Sequence, residues 1–153
     1  MKETSGLRDE VSRLAASCVG LTVRQAARRV TQIYDDALQE SGLSVAQLGL
    51  LAMIATNEDD RMAALAERAG LDPSTLSRNL RALERDALIE IATVEKDLRR
   101  RAVWLTESGI RRLQAALPAW QEAQNRVAGM LPADLLQQLL AANASLAASQ
   151  RSG

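Results

Sequence analysis

The side chains of this chain that can do chemistry are gathered between Asp72 and Thr106. Ser74, Thr75, Ser77, Arg78, Asn79, Arg81 and Arg85 fall within one short segment, and Arg99, Arg100 and Arg101 follow as an unbroken run. Hydroxyls and guanidinium groups donate to phosphate oxygens and to base edges. Arginine pairs best with guanine through two parallel bonds, and serine or threonine pairs with several bases. Other chemistries are poorly served. The chain has no histidine and a single cysteine, Cys18. That removes Ser-His-Asp and Cys-His catalysis, leaves no usual zinc ligand set and excludes an internal disulfide. We therefore expect no enzyme, no metal and no cofactor.

The polar side chains need elements to present them. Met62 to Arg68 reads as a short helix closed by Ala69-Gly70. Asp72 is a good N-cap and Pro73 suits a first helical position, where no backbone N–H is needed, so a second helix opens there and runs to about Asp86. Leu76, Leu80 and Leu83 share one face of it and should be buried. The opposite face carries Ser74, Ser77, Arg78, Arg81 and Arg85, flanked by Thr75 and Asn79. Next comes a strand through Leu88, Ile89, Ile91 and Val94, a charged turn at Glu95 to Arg100, and a return strand. On the return strand Val103 and Leu105 should face inward, with Ala102 and Trp104 outward. Asp97 is expected to pair with one arginine and shape the tip, leaving another to enter a minor groove, whose negative potential attracts arginine. Met62-Ala63 could add a first strand to this hairpin. The order is that of a helix-turn-helix followed by a β-hairpin wing, a device for reading duplex DNA.

Charge is distributed to match. The formal net charge is zero, but residues 61–112 hold 11 basic and 8 acidic residues, whereas residues 1–60 hold 6 and 9. Lys2 and Lys96 are the only lysines; arginine is the better bidentate partner of phosphate and guanine.

The flanking segments read as helices. Residues 1 to about 7 are polar and expected to be loose. From Arg8 to Glu40 the periodicity is helical, with a break foreseen near Gly20 and an end at Ser41-Gly42. Arg24, Arg28 and Arg29 lie on the solvated face. Ser44 and Gln47 form a capping box for the next helix, whose apolar residues (Val45, Leu48, Leu51, Ile54) lie almost all round it. Asn57 to Asp60 is a solvated acidic loop. Thr106 caps a further helix running to about Gly129, with an apolar stripe of Leu113, Leu117, Trp120 and Val127, and Pro118 should kink or weaken it. A last helix from about Pro132 carries Leu135, Leu136, Leu139, Leu140 and Leu146. That is more apolar surface than a peripheral helix leaves wet, and together with residues 8 to 20 it should form a dimer interface. No signal peptide and no apolar run of membrane-spanning length is evident, so a cytoplasmic protein without membrane contact is expected.

MAALAERAGLDPSTLSRNLRALERDALI, followed by EKDLRRRAVWLTESG, resembles the MarR family of bacterial winged-helix transcription regulators. The family's wing pattern falls on Asp97, Arg99, Leu105 and Thr106. The resemblance implies a mainly α fold: a winged helix-turn-helix with a small β-hairpin wing and long N- and C-terminal dimerisation helices. The chain would be one domain over residues 1–153, with a DNA-binding lobe at about 44–106 and a helical dimerisation region at about 8–40 and 107–150. It further implies a homodimeric repressor on an inverted-repeat operator, released by a small aromatic or phenolic molecule in a cleft near the first long helix, the Ser44 helix and the Thr106 helix. The DNA-binding set would be Ser74, Thr75, Ser77, Arg78, Arg81, Asp97, Arg99, Arg100 and Arg101.

Two other readings use the same residues. CVGLTVRQAARRVTQIYD resembles the first helix of organic-hydroperoxide-sensing relatives, which would make Cys18 a redox switch. Counting back from Tyr34, however, their sensing cysteine falls on Gly20. Two residues on a helix is about 200°, nearly the opposite side, and a lone cysteine is more often a small hydrophobe. A winged helix used only for protein–protein binding would tolerate the polar helix. It would not need Arg78, Arg81 and the Arg99–Arg101 run together.

Overall fold

The structure is a computed structural model that describes residues 2–56, 61–94 and 97–151, with the side chains of 6–56, 61–92 and 102–149. The acidic loop expected at Asn57 to Asp60 lies outside the described residues. Among the described residues seven α-helices and one hairpin follow in order: α1 Lys2–Ser17, α2 Val19–Leu38, α3 Val45–Ala55, α4 Met62–Ala69, α5 Pro73–Arg85, β1 Ile89–Val94, β2 Asp97–Leu105, α6 Glu107–Ala128 and α7 Leu135–Arg151. A single 3-10 turn, Gln39–Ser41, links α2 to α3. Among the described residues no single helix is long and apolar enough to cross a membrane.

One core holds the middle of the chain together. Leu48, Leu50, Leu51 and Ile54 of α3, Leu65 of α4 and Leu76, Leu80 and Leu83 of α5 are buried with Leu88, Ile89 and Val103 of the wing and Ala116 of α6. A smaller cluster of Tyr34, Ala123 and Val127 joins α2 to α6, where the Tyr34 hydroxyl donates to Gln124 Oε1. Two further bonds tie α2 and its 3-10 extension into the core. The N–H of Val45 donates to Asp35 Oδ1 at 2.7 Å, and Arg112 Nη1 donates to the carbonyl of Ser41 at 2.8 Å.

The foreseen caps are present. Ser44 and Gln47 bond each other's backbone N–H groups reciprocally, and Thr106 Oγ1 accepts from the N–H of Gly109. The same threonine donates to the carbonyl of Ala87 at 2.7 Å, so one hydroxyl fastens the end of α5 to the start of α6. Gly109 is required there by contact rather than by torsion. A Cβ on it would come within 1.9 Å of the carbonyl oxygen of Leu88.

The structure corrects several expectations. Residues 2–7 are helical rather than loose, because α1 starts at Lys2. The break between α1 and α2 is at Cys18, which is extended (φ −72°, ψ 108°), and Gly20 lies inside α2. Ser17, the last residue of α1, bonds through Oγ to the carbonyl of Arg13. Ala102, expected to face outward with Trp104, is fully buried; the backbone of Arg61 forms an antiparallel bridge to it, so the chain entering α4 covers that point. The strand contact expected from Met62-Ala63 is therefore made one residue earlier, and Met62 and Ala63 belong to α4. Leu117 is exposed, and the buried stripe of α6 runs through Ala116, Ala123 and Val127. α6 continues without a break through Pro118.

The wing also differs. Its ladder pairs Ile89 with Leu105 through Ala92 with Ala102. Thr93 then faces Arg101 while Val94 faces Asp97. Residues 98–100 are extra on the β2 side, a bulge that bends and twists the strand near its tip. Arg99 and Arg100, expected in the turn, thus belong to β2 with Arg101.

Candidate nucleic-acid interface

The turn before α5 is set by Gly70, which takes a left-handed conformation (φ 62°) that costs a side-chain-bearing residue and suits glycine. The N–H groups of Gly70 and Leu71 return to the carbonyls of Glu67 and Ala66, ending α4 and turning the chain into α5. Leu76, Leu80 and Leu83 then fix the rotation of α5 by being buried on one side. What remains outward is a stripe of Ser74, Arg78, Arg81 and Arg85, all exposed. They are spaced four, three and four apart along a helix about 20 Å long. Thr75, Ser77 and Asn79 flank it and are half-buried. Arg85 Nε lies 4.0 Å from Asp86 Oδ1, a long and exposed pair of little energetic weight.

The N-terminal end of α5 carries a connected set of polar bonds. Asp72 Oδ1 accepts from the backbone N–H groups of Ser74 and Thr75 at 3.0 and 2.9 Å. Its carboxylate also accepts from both hydroxyls. Arg78 Nη2 donates to Thr75 Oγ1 at 3.3 Å. Hydrogen bonds from the Ser74 hydroxyl first, and from Thr75 next, hold the Asp72 carboxyl well below the usual carboxylate range. The sequence identified Asp72 only as a cap. The signal of its larger part was present in the Asp-Pro-Ser-Thr order, which puts two hydroxyls within reach of one carboxylate.

The structure brings Ser74, Thr75, Ser77, Arg78 and Arg81 onto one helix. The hairpin follows α5 directly, through Ala87 and Leu88, whose N–H groups cap the carbonyls of Glu84 and Leu83. Ala87 is left-handed (φ 54°) without being glycine. The backbone of Asp97, Arg99, Arg100 and Arg101 lies in β2, and their side chains, with the expected pairing of Asp97, lie outside the described residues. Trp104 is 43% exposed on the wing, as its alternation with Val103 and Leu105 requires.

A groove of about 220 Å³ opens elsewhere, between Ile33, Asp36 and Ala37 of α2 and Glu122, Ala123 and Arg126 of α6. The cleft foreseen from sequence included the Ser44 helix as well; α3 does not line this groove.

A MarR family model matches residues 41–100, from the end of the 3-10 turn into the second strand of the wing. Among solved structures, the M. tuberculosis transcriptional regulator MosR in complex with DNA is 34% identical to this chain. It superposes with a TM-score of 0.78 over 88% of this chain and 98% of that one. The S. aureus MepR–DNA complex is 23% identical (TM-score 0.71, 86% of this chain and 97% of that one). The transcriptional repressor CouR, bound to a 23-mer DNA duplex, is 22% identical (TM-score 0.74, 88% and 95%). These last two are similar in fold. No curated protein matches the chain. With a third of its residues shared with MosR over nearly the whole of that chain, and with a winged helix-turn-helix that carries a polar, arginine-striped second helix, this chain belongs to the MarR family of DNA-binding transcriptional regulators, which are not enzymes.

Proposed function

We propose that the chain works as a homodimeric repressor that grips an inverted-repeat operator in the cytoplasm. Each α5 would enter a major groove and each wing the adjacent minor groove. The observation that carries the dimer is the state of the terminal helices. Every described side chain of α1 from Gly6 to Ser17, and every side chain of α7 from Leu136 to Ser149, is exposed. Leu7, Val11 and Leu14 line one face of α1, and Leu136, Leu139, Leu140 and Leu146 are bare on α7. Fully burying one such side chain stabilises by about 1.5–3 kcal/mol, and a second copy supplies the matching surface by two-fold symmetry. CouR, described as a repressor on DNA, supports the sign of regulation.

Release by a small aromatic or phenolic effector is the part of this reading supported by family resemblance alone. The α2–α6 groove is smaller than the roughly 300–1,000 Å³ of ordinary ligand sites and is lined by Asp36, Glu122 and Arg126 in place of aromatic surface.

The test combines assembly with binding. Light scattering at micromolar concentration should give a dimer; a monomer overturns the reading. Gel shifts on a selected operator should show a loss of about 1–3 kcal/mol for Arg78→Ala, with relaxed specificity at one base pair. Arg99→Ala or Arg100→Ala should weaken binding on most sequences and flatten its salt dependence, the mark of a phosphate contact. An Arg78→Ala protein that binds as tightly as the parent places the reading helix elsewhere.

A further inference from the structure

The recognition helix opens with one carboxylate engaging two hydroxyls. Ser74 Oγ donates to Asp72 Oδ1 at 2.5 Å, and Thr75 Oγ1 donates to Asp72 Oδ2 at 2.7 Å. A hydroxyl owns one proton and two lone pairs, and an ionised carboxylate only accepts. Both hydroxyl protons are therefore turned back toward the start of the helix. On Thr75 the outward lone pair is met by Arg78 Nη2 at 3.3 Å. On Ser74, the more exposed of the two, the lone pairs face solvent.

This matters because a free hydroxyl discriminates poorly. It can accept from the amino groups of adenine N6 or cytosine N4, or donate to guanine O6 and N7 or thymine O4. A hydroxyl whose proton is already committed retains only the first option.

We propose that Asp72 is a positioning residue for operator specificity: by holding the Ser74 proton it makes that hydroxyl an obligate acceptor. The base facing Ser74 then carries an exocyclic amino group, adenine or cytosine on the contacted strand, and guanine or thymine there is disfavoured. Exchange of adenine for cytosine is tolerated, because both offer a donor. Through Thr75 the same carboxylate holds one guanidinium nitrogen of Arg78, whose other N–H groups remain donors. The end of the helix thus presents one acceptor and one donor, four residues apart. The proposal rests on α5 being the DNA-reading helix of the preceding section.

The experiment selects operators from a library of randomised duplexes with the wild-type protein and with Ser74→Ala, Asp72→Gly and Asp72→Asn. Glycine and asparagine are both acceptable N-caps, and circular dichroism melts verify that each variant is folded. Asp72→Gly removes the partner of the Ser74 proton. Asp72→Asn removes the same charge but keeps an oxygen at the Oδ1 position. Both should bind all sequences somewhat more tightly, since each deletes a negative charge near phosphate. The half-site position flattened by Ser74→Ala should show a wild-type preference of about 5- to 10-fold for adenine or cytosine over guanine or thymine. Asp72→Gly should lose that preference and Asp72→Asn should keep it, a pattern that neither charge loss nor general destabilisation produces. A wild-type preference for guanine or thymine at that position overturns the proposal, and so does Asp72→Gly retaining the wild-type pattern. Selection by Arg78 but with no position sensitive to Ser74→Ala also overturns it while leaving α5 as the reading helix. A wild-type protein that enriches no sequence removes the underlying reading itself.

Discussion

The lobe from α3 to β2 and the terminal helices α1 and α7 are built from similar materials and end in opposite states. Both are rich in leucine at helical spacing. In the lobe, Leu51, Leu65, Leu80 and Leu83 are fully buried, because three short helices and a hairpin meet around them. In α7, Leu139 and Leu140 remain 51% and 56% exposed, because no other part of the described chain closes over them. A leucine stripe specifies that a surface will be covered; it does not specify by what. The lobe is completed within the chain, and the terminal helices leave their leucines exposed.

The largest effect should come from the exposed side of that contrast. Replacing Leu139 and Leu140 together by Asp should give a monomer by light scattering and lower operator affinity at least about 100-fold, since a dimer gains that much or more from linking two half-sites. The lobe should keep its helical circular dichroism. A dimer that survives this change locates the interface elsewhere.

Next in size is the buried side. Leu80→Ala should cost about 2–5 kcal/mol of unfolding free energy in a denaturant melt. The same truncation at exposed Leu146 should leave unfolding of the lobe unchanged and act only on the dimer dissociation constant. Equal effects at the two sites would erase the distinction between the regions.

A smaller and opposite change should follow inside the lobe. Ala87 holds a left-handed conformation at the junction of α5 and the wing, which costs an L-residue about 1–2 kcal/mol relative to a right-handed one. Ala87→Gly should recover about 1 kcal/mol and raise the melting temperature by about 2–4 °C. A lower melting temperature would mean that the methyl group contributes more than the strain.

The smallest expected effect is at Cys18, the joint between α1 and α2. Cys18→Ser should leave operator binding unchanged, and peroxide should not release DNA from the parent protein. Release of the wild type by micromolar hydroperoxide, abolished in Cys18→Ser, would make the terminal region a thiol-based sensor.

Local chemistry made much of this readable in advance. The Asp72-Pro73 start of α5, its Leu76-Leu80-Leu83 face, the Ser44–Gln47 box and the Thr106 cap each depend on residues within one or two helical turns, and each formed as the spacing required. Errors arose at a packing contact, a hairpin register and a helix break. Alternation placed Ala102 outward, and the backbone of Arg61, far away in sequence, covers it. A uniform hairpin placed Arg99 and Arg100 in the turn, and a bulge moved them into the strand. Glycine suggested the break near Gly20, and the chain bends at Cys18 instead.

By itself, then, the order of residues determined most of the elements, the buried face of α5, and the poverty of catalytic groups, because periodicity, caps and composition act over a few residues. Tertiary structure alone decided that Gly109 must lie against the carbonyl of Leu88 and that Arg112 reaches the end of the α2 segment at Ser41. Those outcomes are contacts and orientations in space, fixed by packing and by the competition of specific donors for specific acceptors, and spacing along the chain carries no record of which competitor wins.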